Sequence, residues 1–273
     1  MGTLFIVGTP IGNLEDITLR ALRILREVRL VAAEDTRKAR LLFDKYQITT
    51  PVTSFFEGNE RKKTGSLLAA LQQGDVALIS EAGMPGISDP GYPLICAALE
   101  QGLPVVPVPG PSAHTTALVA SGLPSDRFLF LGFLPRGRRD RLAAIEAVAL
   151  LKATLIAYEA PHRLQETLSA LREALGNRPV ALCREMTKHY EEVWRGDLDG
   201  ALEHTAAIPP RGEYTLVIGG APDAGVWDEA QVRAALSEML AQGVARSHAA
   251  REVAVLSGWK RRDVYALEDE ASS

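Results

Sequence analysis

The chain has 273 residues, a formal net charge of −4 and 47% hydrophobic residues. That length suits one large domain or two of ordinary size, no apolar run approaches the roughly 20 residues that span a bilayer, and the acidic balance argues against a free-standing nucleic-acid binder, which is usually basic. The opening run Met1 to Val7 enters a strand with no basic leader before it, so the cytoplasm is the expected location. Cys96 and Cys183 lie far apart and outside any CxxC or Cys/His cluster. They read as two small buried thiols rather than a disulfide or zinc framework, and no metal site is expected.

In chain order, Thr3 to Val7 is a short apolar run stopped by Gly8 and Pro10, the signature of a buried strand. Asp16 or Thr18 can cap the helix that follows, with Leu19, Leu22 and Leu25 every third residue. Leu30 to Ala33 is a strand, ended by Glu34-Asp35-Thr36-Arg37, and a helix runs through Leu42. Strands near Val52 to Phe55, Val76 to Ser80 and Val105 to Val108 alternate with helices over Lys63 to Gln72 and Tyr92 to Gln101. After Pro109-Gly110-Pro111 a helix starts at about Ser112 and the alternation resumes. Strands are expected at Arg127 to Leu134, Thr154 to Tyr158, Val180 to Arg184, near Glu191 to Arg195 and at Tyr214 to Ile218, with helices at Arg138 to Leu151 and Pro161 to Leu175. Such alternation predicts βαβ units and a mostly parallel sheet. The organisation expected is two α/β domains, 1–111 and 112–221, with a cleft between them, then a helical extension over 226–273. Ala221 to Trp227, with Pro222 and Gly225, reads as a linker before helices at Gln231 to Ala241, Arg246 to Leu256 and Arg261 to Leu267. That tail is either a helix-turn-helix-like appendage or a helical packing element.

Three rigid loops sit where strands end, where open α/β sheets place ligands. The densest is Glu81-Ala82-Gly83-Met84-Pro85-Gly86-Ile87-Ser88-Asp89-Pro90-Gly91. Its glycines permit close backbone approach and its prolines stiffen it, so it can present backbone groups to a polar ligand. Gly8-Thr9-Pro10-Ile11-Gly12-Asn13 is neither GxGxxG nor a GK[ST] phosphate loop. Val108-Pro109-Gly110-Pro111-Ser112-Ala113 opens a helix that Ser112 can cap, or Ser112 can bond a ligand.

The strings TPIGN, AEDTR, GxPGISDPGY, VPGPSA, FLFLGFLPR, YEAPHR and RE-x-TK, followed by RGEYTLVI, occur in that order between Thr9 and Ile218. Together they resemble the ribosomal RNA small subunit methyltransferase I family, related to the tetrapyrrole methylases and diphthine synthase. The resemblance implies two α/β domains with S-adenosyl-L-methionine in the cleft, a homodimer, and 2′-O-methylation of a cytidine ribose in the decoding region of 16S ribosomal RNA, within the small ribosomal subunit. Carried over by position, the cofactor contacts would be Pro10, Glu81, Ala82, Gly83, Gly86, Ile87, Ser112, Ala113 and Met186, with Glu159 beside them. The chain departs from the family text at Glu81, where aspartate is common, and at Phe55 to Glu60, a stretch usually richer in histidine.

A ribose hydroxyl is a weak acid, so a base or charge near it helps as its proton leaves. Glu159, Glu185 and Lys188 are the candidates, because they sit at strand ends on the proposed cleft; lysine as base would need a lowered pKa. Arg37, Arg136, Arg138, Arg139, Arg163 and Arg184 are candidate RNA contacts. The plainer readings stay beside these: Asp35 and Arg37 as a helix cap, the basic cluster through Arg141 and that from Arg246 and Arg251 to Lys260, Arg261 and Arg262 as solvated faces, and Arg184 and Glu185 as partners of each other or of Arg163. His114 and His162 read as packed histidines. The rival functions are a tetrapyrrole or corrin methylase of the same fold, and a non-enzymatic RNA-binding or ribosome-assembly protein.

Overall fold

A computed structural model describes residues 1–222 and 227–267. Packing divides them into two compact units, one of residues 1–149 with 153–219, the other of 150–152 with the described part of 220–273.

The first unit begins with β1 (Leu4–Val7), α1 (Leu19–Glu27), β2 (Leu30–Ala33), α2 (Thr36–Tyr46), β3 (Val52–Ser54), α3 (Glu60–Leu71), β4 (Val76–Ile79), α4 (Tyr92–Glu100) and β5 (Val105–Val108). All five strands are parallel, in the order β3-β2-β4-β1-β5. Parallel strands need crossovers, and the helices provide them while covering both faces. One face packs Val7, Leu25, Val31 and Ile79 against α1 and α2. The other packs Leu4, Phe55, Leu78 and Leu94 against α3 and α4. Of the two cap candidates for α1, Thr18 takes the role, its hydroxyl accepting from the Ala21 amide at 3.0 Å, while Asp16 sits in a preceding 3-10 turn.

The chain continues through α5 (Ala113–Ser121), β6 (Phe128–Phe133), α6 (Arg138–Glu146), β7 (Thr154–Glu159), α7 (Leu164–Leu175), β8 (Pro179–Arg184), β9 (Glu192–Asp197), α8 (Leu198–Ala207) and β10 (Tyr214–Ile218). These strands form a second sheet, β6-β7-β10-β8-β9. The expectation of a mostly parallel sheet fails here: β6 pairs β7 in parallel, but β10 runs antiparallel to both β7 and β8, and β9 antiparallel to β8. The seven residues between β8 and β9 are too few for a crossover, so the chain turns back, and β10 returns to fill the gap that α7 leaves between β7 and β8. Leu164, Leu168, Leu171 and Leu175 of α7 are all buried against one face, as their spacing predicts, each worth roughly 1.5–3 kcal/mol. On the opposite face α5 contributes Ala117 and Leu118, and Ile11, from the loop after β1, packs into the same cluster. Helix α6 stops at Glu146 rather than running to Leu151, and α8 has no counterpart among the expected elements.

The second unit holds α9 (Glu229–Ala241), α10 (Arg246–Ser257) and α11 (Arg261–Tyr265) around Val232, Leu236, Ala250, Val253 and Val264. Asp228 begins α9 with a reciprocal capping box to Gln231. Arg246 of the basic cluster donates to the Leu267 carbonyl and so ties α10 to the end of α11. The expected linker from Ala221 to Trp227 falls largely outside the described residues. No helix among the described residues is long and apolar enough to cross a membrane.

Candidate functional site

The carboxyl ends of the parallel strands in the first sheet converge on one pocket of about 410 Å³. From that side it is lined by Ile11 after β1, Glu34 after β2, Glu81 to Met84 and Ile87 to Asp89 after β4, and Ser112 to His114 after β5. The second sheet closes it with Phe133, Tyr158 to Pro161, Met186 and Lys188, and with Glu213 and Tyr214 at the start of β10. Because β10 runs opposite to β7 and β8, its amino end meets their carboxyl ends, and all three feed the same cavity.

Backbone contacts fix the loops before any ligand binds. Thr9 and Gly83 exchange both amide hydrogen bonds, at 2.9 and 3.1 Å, so the loops after β1 and β4 are zipped together. Gly8 and Gly110 touch across the loops after β1 and β5: a Cβ on Gly8 would lie 2.7 Å from the Gly110 Cα. Gly83 (φ 83°) lines the pocket from the left-handed region, which glycine enters without steric cost. After β8, Glu185 (φ 49°) and Thr187 (φ 66°) are non-glycine residues in that same region and flank Met186 in the pocket wall. The stretch Phe55 to Glu60 braces the β4 loop: Phe55 is fully buried, and Glu60 accepts from the Gly91 amide at 2.8 Å.

The first-sheet side of the pocket is acidic. Burial pushes the Asp89 carboxyl up to about 6, Glu34 adds to the rise, and a Ser80 hydrogen bond opposes it. Burial also raises Glu34, against the pull of Lys38. Glu81 pairs with Lys38. An aromatic wall faces this cluster: His114 stacks on Phe130 at 4.6 Å, and Tyr158 meets Phe130 and Phe133 edge-on at 4.9 and 5.5 Å. The Ser112 hydroxyl does not cap α5; it lies 3.0 Å from His114 Nδ1, which is 3.2 Å from the Tyr158 oxygen. Burial lowers the His114 pKa and raises that of Tyr158, so both are neutral near pH 7. The Cys183 thiol is pushed up to about 11 by burial, which keeps it protonated.

Of the expected cofactor contacts, Glu81, Ala82, Gly83, Ile87, Ser112, Ala113 and Met186 line the pocket, whereas Pro10 and Gly86 belong to the loops after β1 and β4 without lining it. Of the expected catalytic groups, Glu159 and Lys188 line it and Glu185 stands behind Lys188. The Glu159 side chain is fully enclosed, its oxygens taken by Thr167 at 2.5 Å and by the Ala160 amide at 2.9 Å, with Arg163 at 3.4 Å. Lys188 Nζ donates to Glu185 at 3.0 Å and Glu213 at 2.7 Å. Burial works against its charge, but those two bonds outweigh burial and raise its pKa, which is opposite to what a lysine base requires.

No arginine named from the sequence lines the pocket. Arg37 is 90% exposed and pairs with Asp35, which caps α2. Arg136 and Arg139 are exposed on the surface, Arg138 pairs with Glu173 at 2.8 Å, and Arg141 is buried against Glu166. Arg163 donates to the Leu134 carbonyl at 2.7 Å, and Arg184 to the Arg211 carbonyl at 2.9 Å and Glu192 at 3.1 Å. The plainer alternative, Arg184 and Glu185 pairing with each other or with Arg163, is not what the structure shows, since each has partners of its own. His162 is exposed rather than packed, and Cys96 is only half-buried. Among the described residues no three His, Cys, Asp or Glu side chains gather as ligands for a metal.

Residues 3–201 match the family of tetrapyrrole (corrin/porphyrin) methylases. A relative named ribosomal RNA small subunit methyltransferase I in Halalkalibacterium halodurans is 43% identical, over 97% of this chain and 94% of its own length. One of the same name in Pseudomonas aeruginosa is 44% identical, over 100% of this chain and 99% of its own. Among solved structures, a diphthine synthase superposes with a TM-score of 0.65 at 15% identity, covering 80% of this chain and 90% of its own. A uroporphyrin-III C-methyltransferase from Thermus thermophilus, complexed with S-adenosyl homocysteine, gives 0.56 at 21% identity, covering 80% and 97%. At these identities the two structures speak to the fold.

Proposed function

This chain belongs to the ribosomal RNA small subunit methyltransferase I family, and from that premise we propose that it transfers a methyl group from S-adenosylmethionine to the 2′-hydroxyl of a cytidine in 16S ribosomal RNA. The observation carrying this reading is the convergence of Glu81 to Gly83, Ile87, Ser112, Ala113 and Met186, from separate segments of sequence, on one pocket at the strand ends. Near full-length relatives carry the ribosomal name, which sets the reading apart from a tetrapyrrole methylase of the same fold.

The pocket suits the cofactor on its own features. Its volume falls in the range of small-molecule sites, and its wall combines apolar side chains with backbone groups of the β4 loop. Glu34, Glu81 and Asp89 give it the negative charge that a cationic ligand requires. S-adenosylmethionine supplies there a methyl group already activated by a positively charged sulfur. The loops after β1, β4 and β5 then serve to hold donor and acceptor in line, and alignment is the main source of rate in such a displacement. Lys188, held charged, donates a hydrogen bond to the ribose oxygen in place of Glu213, whose side chain is 79% exposed and free to swing. As the new C–O bond forms, the bond from methyl to sulfur would break and leave S-adenosylhomocysteine, and the hydroxyl proton would pass to the Glu213 carboxylate beside Lys188. Glu159 pairs with Arg163, which holds the Leu134 carbonyl beside Phe133 and so braces that side of the wall.

The test is methyl transfer from labelled S-adenosylmethionine to small ribosomal subunits prepared from cells lacking the enzyme, with the labelled nucleotide mapped. A single 2′-O-methylcytidine in the decoding region is the expected product. Cofactor binding without label in RNA would redirect the reading to small-molecule acceptors; no cofactor binding would end it.

A further inference from the structure

A second cavity, of about 530 Å³, adjoins the first and shares Lys188 with it. Gly12, Asn13, Leu14 and Glu15 line one side, Lys45 at the end of α2 another, and Thr187, Lys188 and His189 the third. Its walls are polar and held in place. Gly12 lets the two sides meet, since a Cβ there would lie 2.5 Å from Lys188 Cγ and 2.8 Å from Thr187 Oγ1. The Thr187 hydroxyl is buried and has no hydrogen-bond partner among the described residues. Thr187 keeps its left-handed backbone, and its amide donates to Glu191 at 2.5 Å. Asn13 accepts from the Glu15 amide through Oδ1, which leaves its NH₂ free to donate. Beside the cavity, His189 and Tyr190 stand edge to face at 4.7 Å, with Tyr190 exposed.

We propose, on the methyl-transfer reading above, that this cavity receives the acceptor nucleotide of a single-stranded RNA segment. Lys45 takes the phosphodiester, Asn13 and Thr187 bond the sugar and base edge, and the His189–Tyr190 pair stacks a base. The ribose 2′-oxygen then points past Lys188 into the first pocket. The charges divide the ligand in this way. Lys188 is already countered by Glu185 and Glu213, so it suits a neutral hydroxyl rather than a phosphate. Lys45 has no carboxylate partner among the described residues and is the cation left for the backbone. Glu15 is exposed on the rim, where a strand carrying the phosphate at Lys45 can pass it by. An unstacked base on aromatic side chains with sugar contacts is how proteins commonly read single-stranded RNA.

The proposal is tested with Lys45→Glu and His189→Ala, both exposed positions, in the full chain. Retention of unmodified small subunits on a filter is measured across a salt series, and S-adenosylmethionine affinity by calorimetry. Lys45→Glu is expected to weaken subunit binding roughly tenfold and to lower the salt slope by about one. His189→Ala is expected to weaken binding with the salt slope unchanged, and both variants to bind the cofactor as the wild type does. Variants that retain subunits like the wild type would overturn the cavity assignment and leave the methyl-transfer reading standing. A wild-type protein that binds neither subunits nor cofactor would overturn both.

Discussion

The two ends of the site differ in charge, and both charges come from loops at strand ends. At the first-sheet end, Glu34, Glu81 and Asp89 surround the rigid β4 loop, and burial raises two of the three carboxyls. At the other end, Lys45, with no carboxylate partner among the described residues, faces the second cavity, while Lys188 is countered by Glu185 and Glu213. Carboxylates partly removed from water bind a fixed cation strongly, because little solvent screens the pair. Exposed lysines instead suit a polyanion that arrives with its counterions. On the proposed reading, a donor carrying positive charge and an acceptor carrying negative charge would meet from opposite ends of a single path, with Lys188 between them. The net charge of −4 is no obstacle to RNA on this view, since the cations are local.

The largest expected effect is at the junction. Lys188→Met should lower kcat by roughly 100-fold or more while cofactor affinity holds, because it removes a preorganised donor from the reacting oxygen. Equal losses in kcat and cofactor affinity would move Lys188 to the cofactor end. Next is the packing that joins the loops. Gly8→Ala pushes a methyl against the Gly110 backbone and Met84, and should cost about 1–3 kcal/mol, read by denaturant unfolding, with cofactor affinity falling as well.

A smaller effect separates the two ends by pH. The Asp89 carboxyl is raised to about 6, so its contribution to stability is complete below about pH 4 and is lost as pH rises through about 6. A cationic ligand favours the ionised form, so cofactor affinity should climb over that same window, and Asp89→Asn should flatten the climb. Calorimetric titrations between pH 5 and 8 read it; an unchanged profile in the variant would remove Asp89 from the cationic end. The smallest effect is at Arg37. Its pair with Asp35 belongs to neither end, and Arg37→Ala should leave the denaturant midpoint and subunit binding essentially unchanged.

The first sheet was legible because its parallel strands alternate with helices along the chain, and each crossover is local in sequence. The second was not, because β10 reaches its place between β7 and β8 after β9 and α8 have intervened, and pairing over that distance leaves no periodic trace. The β4 loop announced itself through Gly83, Gly86 and Gly91 with Pro85 and Pro90. Asp89 lay inside that string and Tyr158 inside YEAPHR, but only folding shows that they face one cavity. His114 read as a packing residue because sequence carries no sign of the ring network it forms with Ser112 and Tyr158. That Glu213 and Lys45 line the two cavities was not legible for a plainer reason: a lone charge at a strand start or a helix end looks like solvated surface. Arg163 and Glu159 read as chemical groups from the sequence, and folding adds what sequence does not show, that their polar atoms are held by the Leu134 carbonyl, by Thr167 and by each other.

The most direct measurement is a crystal structure of the protein with S-adenosylhomocysteine bound. The account predicts the ligand in the pocket between the β4 loop and Met186, its sulfur turned toward Lys188 and its charged amino-acid end toward the acidic side chains. A ligand seated elsewhere, or one whose sulfur faces away from Lys188, would contradict it.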